Sequence, residues 1–175
     1  MQGKEAMYQE LAEQTPISEV MHQDAYCVNA HQSVGDIVSF FLDHGINAAP
    51  VVDDSGILVG FVSKTDIVRE LQSQDAATGG ERGQEVQPWW DTDRLSQFKV
   101  CEIMSPTFYT FSPSTPVADA TATMAFEGLH HVPVVSDSGQ AVGMLSALDV
   151  LNWLVQKAGY QPAHGRDGKI FKRPV

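Results

Sequence analysis

Gly45-Ile-Asn-Ala-Ala-Pro50-Val-Val-Asp-Asp-Ser-Gly56 decides the fold, because the chain writes it twice. At an offset of 83 stands Gly128-Leu-His-His-Val-Pro133-Val-Val-Ser-Asp-Ser-Gly139, with the glycines, the proline, the Val-Val pair and the Asp-Ser-Gly turn in register. Working outward at that offset, Val59-Gly60 falls on Val142-Gly143, Ser63 on Ser146 and Asp66 on Asp149. Met21, Val34 and Asp36 fall on Met104, Val117 and Asp119. Residues 17–71 align with 100–154 without a gap, and 17 of the 55 pairs are identical. Such spacing marks an internal repeat of one structural unit.

Each copy reads as the same order of elements. A short strand near Tyr26–Val28, or Tyr109–Phe111, comes first. Ser33 or Thr115 then caps a helix, with Pro116 suited to a first helical position. DIVSFFLDHG and VADATATMAFEG carry helical apolar spacing, and Gly45 and Gly128 stand where a left-handed C-terminal residue is wanted. AAPVV and HVPVV are buried strands, DDSG and SDSG are turns, and ILVGFV and QAVGMLS are second strands. Ser63 and Ser146 open the last helices, KTDIVRELQ and ALDVLNWLVQ. The prediction is an α+β fold of two β-α-β-β-α repeats. A unit of about 55 residues is marginal alone, so the copies are expected to share a core, sheets packed together around a pseudo-twofold axis. Ligand sites should then come in pairs.

Residues 1–15 form an N-terminal segment whose stretch 5–14, with Met7 and Leu11 on one side, reads as an amphipathic helix packed on the module. Repeat 1 covers 16–73, an inserted linker 74–98, repeat 2 99–157 and a basic tail 158–175. The insert contains Trp89-Trp90, read as a lid over apolar surface or as a stack for a ligand base. The tail region from Lys157 holds five basic residues against Asp167, whereas residues 1–155 hold 6 basic and 21 acidic side chains. The tail reads as a solvated extension or as a docking peptide.

A formal net charge of −11 excludes most nucleic-acid binding, since phosphate contacts need Lys and Arg, and it disfavours anionic lipid. No apolar run approaches the roughly 18 residues of a membrane span, and the N-terminus is too polar for a secretory signal. A cytoplasmic location is the expectation. Cys27 and Cys101 offer neither a disulfide framework nor metal-ligand spacing and are expected to pack. The methionines are expected in the core. His22, His31, His44 and His164 read as surface or cap residues.

Chemistry concentrates at Gly60-Phe-Val-Ser63-Lys-Thr65-Asp66 and Gly143-Met-Leu-Ser146-Ala-Leu-Asp149. Ser followed three residues later by a carboxylate resembles a capping box, which suffices as a structural account. The same turn also suits a ligand. A helix N-terminus offers free N–H donors to an anion, and a carboxylate accepts two hydrogen bonds from a vicinal diol such as ribose. A small residue before it lets another backbone or a flat base approach.

Over about 16–73 and 99–157 the chain resembles the tandem CBS-domain pair, or Bateman module, named after the regulatory domain of cystathionine β-synthase. The motifs are GINAAPVVDDSG with GFVSKTDI and GLHHVPVVSDSG with GMLSALDV. The resemblance implies a non-catalytic sensor binding AMP, ADP, ATP or S-adenosylmethionine, sometimes NAD, in clefts between the copies. It implies that Asp66 and Asp149 take ribose hydroxyls, and that Ser63, Thr65 and Ser146 contact ribose or phosphate. Leu129, His130 and His131 would wall the adenine for Asp66, and Ile46, Asn47 and Ala48 for Asp149. His130 and His131 are the best candidates to face phosphate.

Leu148 stands where repeat 1 has Thr65, so the second site lacks a hydroxyl, and Asn47 and Ala48 stand where repeat 2 has two histidines. Lys64 can reach phosphate or lie solvated. With so few cations, AMP, ADP or an uncharged adenosyl group is favoured over free ATP, unless Mg²⁺ supplies charge. The resemblance further implies a homodimer acting in trans on a regulated protein partner. The other reading is a structural or dimerisation adaptor with empty clefts, its Ser/Asp pairs only capping helices. Replacing either aspartate by alanine is expected to weaken ligand binding and leave the ligand-free chain about as stable.

Overall fold

The computed structural model describes residues 2–23, 25–77, 95–106 and 109–159, apart from the side chains of residues 2–5 and 74–77. Trp89, Trp90, His164 and the tail beyond residue 159 lie outside the described residues, and with them the readings of lid and docking peptide.

The elements follow the order α1 (Gln2–Gln14), β1 (His22–Gln23), β2 (Val28–Asn29), α2 (Val34–Asp43), β3 (Ala48–Val52), β4 (Leu58–Ser63) and α3 (Lys64–Ala77). Then come α4 (Val100–Ile103), α5 (Val117–Glu127), β5 (His131–Val135), β6 (Ala141–Ser146) and α6 (Ala147–Lys157). Two three-stranded sheets result, ordered β2-β3-β4 and β1-β6-β5, and the fold is α+β. Strand β2 runs parallel to β3, while β3 pairs antiparallel with β4.

The first strand is weaker in the second repeat. Phe111 makes only an isolated parallel bridge to Val134. The repeat register supplies the reason. Ala30 N–H donates to Val52 O, but the equivalent of Ala30 is Pro113, which has no N–H to give. Strand β1, absent from the sequence reading, becomes the third strand of that sheet by pairing His22 with Met144 and Gln23 with Gly143.

The chain forms two compact units, one of Asp24–Thr110 with Val135–Val142, the other of Met1–Gln23, Phe111–Val134 and Gly143–Val175. They do not follow the repeat boundaries, because the leading segment of each repeat is built into the other repeat's unit. In the first unit Val34 N–H donates to Phe98 O and Val100 N–H to Gln32 O. In the second, Val117 N–H donates to Thr15 O and Ile17 N–H to Thr115 O, the same two bonds moved by 83 positions.

The first unit's core is explained by the spacing in α2. Val34, Ile37 and Phe41 are buried at i, i+3 and i+7, and pack with Val28, Ala49, Val51, Val62, Ile67, Leu95 and Val100. A buried side chain of this kind contributes roughly 1.5–3 kcal/mol. Ser33 Oγ accepts from Asp36 N–H at 3.1 Å, and Gly45 closes the helix at φ 64°. Leu95 and Phe98, at the end of the sequence's insert, are drawn into this core, and α3 reaches Ala77 on its other side.

The second unit repeats the face with Val117, Ala120 and Met124, joined by Ile17, Val132, Val134 and Leu145. Its helix begins differently from the expectation. Pro116 occupies the N-cap and Thr115 makes no side-chain cap bond, since the register places Pro116, not Thr115, on Ser33. Helix α1 packs on α5, yet Met7 on it is 51% exposed while Leu11 is half-buried. Among the other described methionines only Met124 is buried, and Met21, Met104 and Met144 are half-buried. Cys101 is exposed, contrary to expectation, because it lies on the outer side of the one-turn helix α4. Among the described residues no helix is long and apolar enough to cross a membrane.

Candidate functional site

The glycine in the middle of each second strand explains how the two carboxylates are placed. A Cβ on Gly143 would lie 2.7 Å from His22 O and 2.9 Å from Met21 Sδ. A Cβ on Gly60 would lie 2.6 Å from Met104 Sδ and 3.1 Å from Ser105 O. The close approach expected of a small residue here is therefore made by backbone from the leading segment of the other repeat. His22 and Ser105 are equivalent positions of the repeat, and each is brought against the start of a final helix.

Both Ser–Asp turns form capping boxes. Ser146 N–H and Oγ donate to Asp149 Oδ2 at 2.8 and 2.6 Å, and Asp149 N–H returns to Ser146 Oγ at 3.2 Å. Ser63 and Asp66 do the same at 2.8, 2.6 and 3.3 Å. Each aspartate is buried, at 8% exposure for Asp66 and 6% for Asp149, so its remaining oxygen also needs partners. His22 Nδ1 stands 2.9 Å from Asp149 Oδ1, a close contact without hydrogen-bond geometry. Asp66 Oδ1 receives Arg69 Nη1 at 3.0 Å and Ser105 Oγ at 3.3 Å. His22, Arg69 and Ser105 are the residues that sequence reasoning missed. The 83-residue register that pairs His22 with Ser105 was the available signal; Arg69 had none beyond its i+3 spacing from Asp66.

These bonds correct one expectation. A buried aspartate that accepts four hydrogen bonds, as Asp66 does, or two, as Asp149 does, is part of the helix cap, so its removal is expected to cost stability.

The helix N-termini are largely committed. The first N–H of α3, Lys64, donates to Asn47 O, and that of α6, Ala147, to His130 O. The third is held by the capping serine. Among the described residues only the second N–H, of Thr65 or Leu148, keeps no partner. Thr65 itself is exposed and Ser63 and Ser146 are half-buried. Lys64 Nζ donates to Asn47 Oδ1 at 3.1 Å, which ties down both groups.

Ile46 is half-buried, Asn47 exposed and Ala48 buried, with Ala48 paired to Ser63 across β3 and β4. Leu129 and His130 line a cavity of about 340 Å³ with Thr121, Met124, Ala147, Val150 and Leu151 of their own unit. His131 is half-buried, and its imidazole is held below the ordinary histidine value, first by desolvation and second by His130, with Asp149 opposing. Asp149 and His131 thus share one electrostatic neighbourhood.

The comparisons bear on what such paired turns do. The chain is 27% identical over 135 residues to the A-adding tRNA nucleotidyltransferase of Aquifex aeolicus, covering 77% of this chain and 14% of that protein. It is 23% identical over 143 residues to a CBS domain-containing protein of Dictyostelium discoideum, covering 80% of this chain and 91% of the other. This chain spans about one seventh of the first protein's length.

Among solved structures, the CBS domain of a CBS domain-containing membrane protein from Sphaerobacter thermophilus superposes with a TM-score of 0.67 at 24% identity, covering 87% of this chain and 97% of that one. CBSX2, a CBS-pair protein of Arabidopsis thaliana, solved in complex with AMP, matches with a TM-score of 0.63 at 23% identity, over 82% of this chain and 98% of that one. The CBS domain pair of protein MJ0100, solved with 5′-methylthioadenosine and S-adenosyl-L-methionine, gives 0.64 at 22%, over 82% and 98%. These likenesses show the fold. The family model for the CBS domain matches twice, at residues 17–73 and 100–156, on the two repeats found from the sequence. The chain belongs to the CBS-domain family, with its domains in tandem.

Proposed function

We propose that this chain is a non-catalytic regulatory module that binds an adenosine-containing ligand at its Ser–Asp turns and signals to a protein partner. The observation that carries the reading is the twinned turn itself: a buried carboxylate beside a hydroxyl and one free helix N–H, twice. A carboxylate is an acceptor-only group suited to the two hydroxyls of a ribose, and the N–H and hydroxyl suit a single phosphate or a thioether-bearing chain. Related CBS pairs of the same fold hold AMP and S-adenosyl-L-methionine, which supports this class of ligand.

With one free N–H per turn and Lys64 engaged by Asn47, the turns offer little to a triphosphate. AMP, ADP or an uncharged adenosyl group is preferred, and Mg²⁺ would be needed to bring ATP. A homodimer is supported by apolar side chains standing in solvent on α5 and α6: Phe126 at 90% exposure, Leu148 at 64% and Leu151 at 56%.

The adaptor reading has an observation of its own. Four donors already satisfy Asp66, as a purely structural cap requires. A thermal-shift panel separates the readings. Ligand at 100 times its dissociation constant stabilises a fold by about 2.7 kcal/mol, so at least one adenosine compound should raise the melting temperature. No shift with AMP, ADP, ATP or S-adenosylmethionine, with and without Mg²⁺, favours the adaptor.

A further inference from the structure

We infer that the two turns are unequal: the Asp149 turn receives the ribose, and Arg69 keeps the Asp66 turn closed. This rests on the adenosine reading above and says which half of the molecule carries it. A carboxylate has about four acceptor positions. Asp66 has all four taken, by Ser63 N–H and Oγ on Oδ2 and by Arg69 and Ser105 on Oδ1. Asp149 has two taken, both on Oδ2 by Ser146 N–H and Oγ, while His22 only stands beside Oδ1 without hydrogen-bond geometry.

A first ribose hydroxyl therefore bonds Asp149 without displacing anything. The second hydroxyl also finds an open position on Oδ1 and has only to move aside the neighbouring imidazole, which is 76% exposed. At Asp66 both hydroxyls must displace a protein donor, one of them a permanent cation. The guanidinium alone is a modest obstacle, being 70% exposed and screened by water. Its effect is added to that of Ser105, and the two together fill Oδ1.

The asymmetry traces to one position. Arg69 is matched by Asn152 in the second repeat, where the side chain is too short to place a cation on the carboxylate from one turn away. The sequence differs there, while Ser63/Ser146 and Asp66/Asp149 are the same.

Isothermal titration of the full chain with AMP tests this. The wild type should bind one AMP per chain. Asp149→Asn should weaken that binding roughly ten- to hundredfold, the loss of a charge-assisted hydrogen bond, with far-UV circular dichroism confirming a folded chain. Arg69→Asn should raise the stoichiometry from one to two, and adding Asp66→Asn to it should return the stoichiometry to one. Two equal sites in the wild type, or unaltered affinity in folded Asp149→Asn, would overturn the inference while leaving the adenosine reading in place. Absence of binding by AMP and by S-adenosylmethionine would remove that reading and this inference together.

Discussion

His22 Nδ1 stands 2.9 Å from Asp149 Oδ1, and in the repeat it occupies the place of Ser105, whose Oγ stands 3.3 Å from Asp66 Oδ1. A hydroxyl that donates and an imidazole that only stands close thus occupy the same place in two copies of one unit. Both arrive from the leading segment of the opposite repeat, so each carboxylate is completed by chain that is remote in sequence.

The capping role has a measurable cost. Asp149→Ala strips the partner from Ser146 N–H and Oγ, and should lower stability by about 1–3 kcal/mol in chemical denaturation, as expected for part-buried donors left unpaired. Asp149→Asn keeps one oxygen as acceptor and should cost less. Equal stability of the alanine variant and the wild type would mean that the box is not held in solution.

Glycine at the close approaches is required sterically. Gly143→Ala would press a Cβ against the backbone oxygen of His22 at 2.7 Å, whereas Gly60→Ala meets the thioether of Met104 first, at 2.6 Å. A side chain yields more easily than backbone, so Gly143→Ala should be the more destabilising, within the ~1–3 kcal/mol typical of overpacking. Thermal melts of the two variants decide it; the reverse order contradicts the packing.

His131 gives the chain a pH dependence of known sign. Burial, reinforced by His130, sets its folded value below 6.5. The unfolded chain then binds the proton more readily than the folded one, so stability falls as pH drops through the ordinary histidine value and levels off below the folded one. Unfolding free energies measured from pH 8 to pH 5 should show this slope, and His131→Gln should flatten it. An unchanged slope in the variant assigns the effect elsewhere.

The thiols should differ in reactivity. Cys27 is half-buried and its thiol is pushed up by desolvation, while Cys101 is exposed. Iodoacetamide followed by peptide mapping should find Cys101 modified first. Faster labelling of Cys27 would contradict the burial.

Most of the fold was legible because local signals agreed with one another. The helices at Val34 and Val117 show buried i, i+3, i+7 faces, and Gly45 and Gly128 take φ 64° and 68°. The Ser–Asp pairs were legible both as caps and as candidate sites. What stayed hidden was non-local. No period in the sequence says that His22 pairs across to Met144, that Leu95 enters the first unit's core, or that Arg69 turns back on Asp66. Such contacts depend on how distant segments meet, and a two-residue strand such as β1 has too few positions to display alternation. Pro113 was visible, but its cost appears only once Ala30 is seen to donate to Val52.

The sugar of an adenosine ligand is held by a buried aspartate of the paired turns, Asp149 in the wild type and Asp66 as well once Arg69 is removed. The most direct test is the titration of the Asp66→Asn/Asp149→Asn double variant with AMP and S-adenosylmethionine, alongside the wild type and after a check that the variant is folded. Heat of binding is expected in the wild type and none in the folded double variant. Binding of equal affinity in both would contradict that role of the aspartates.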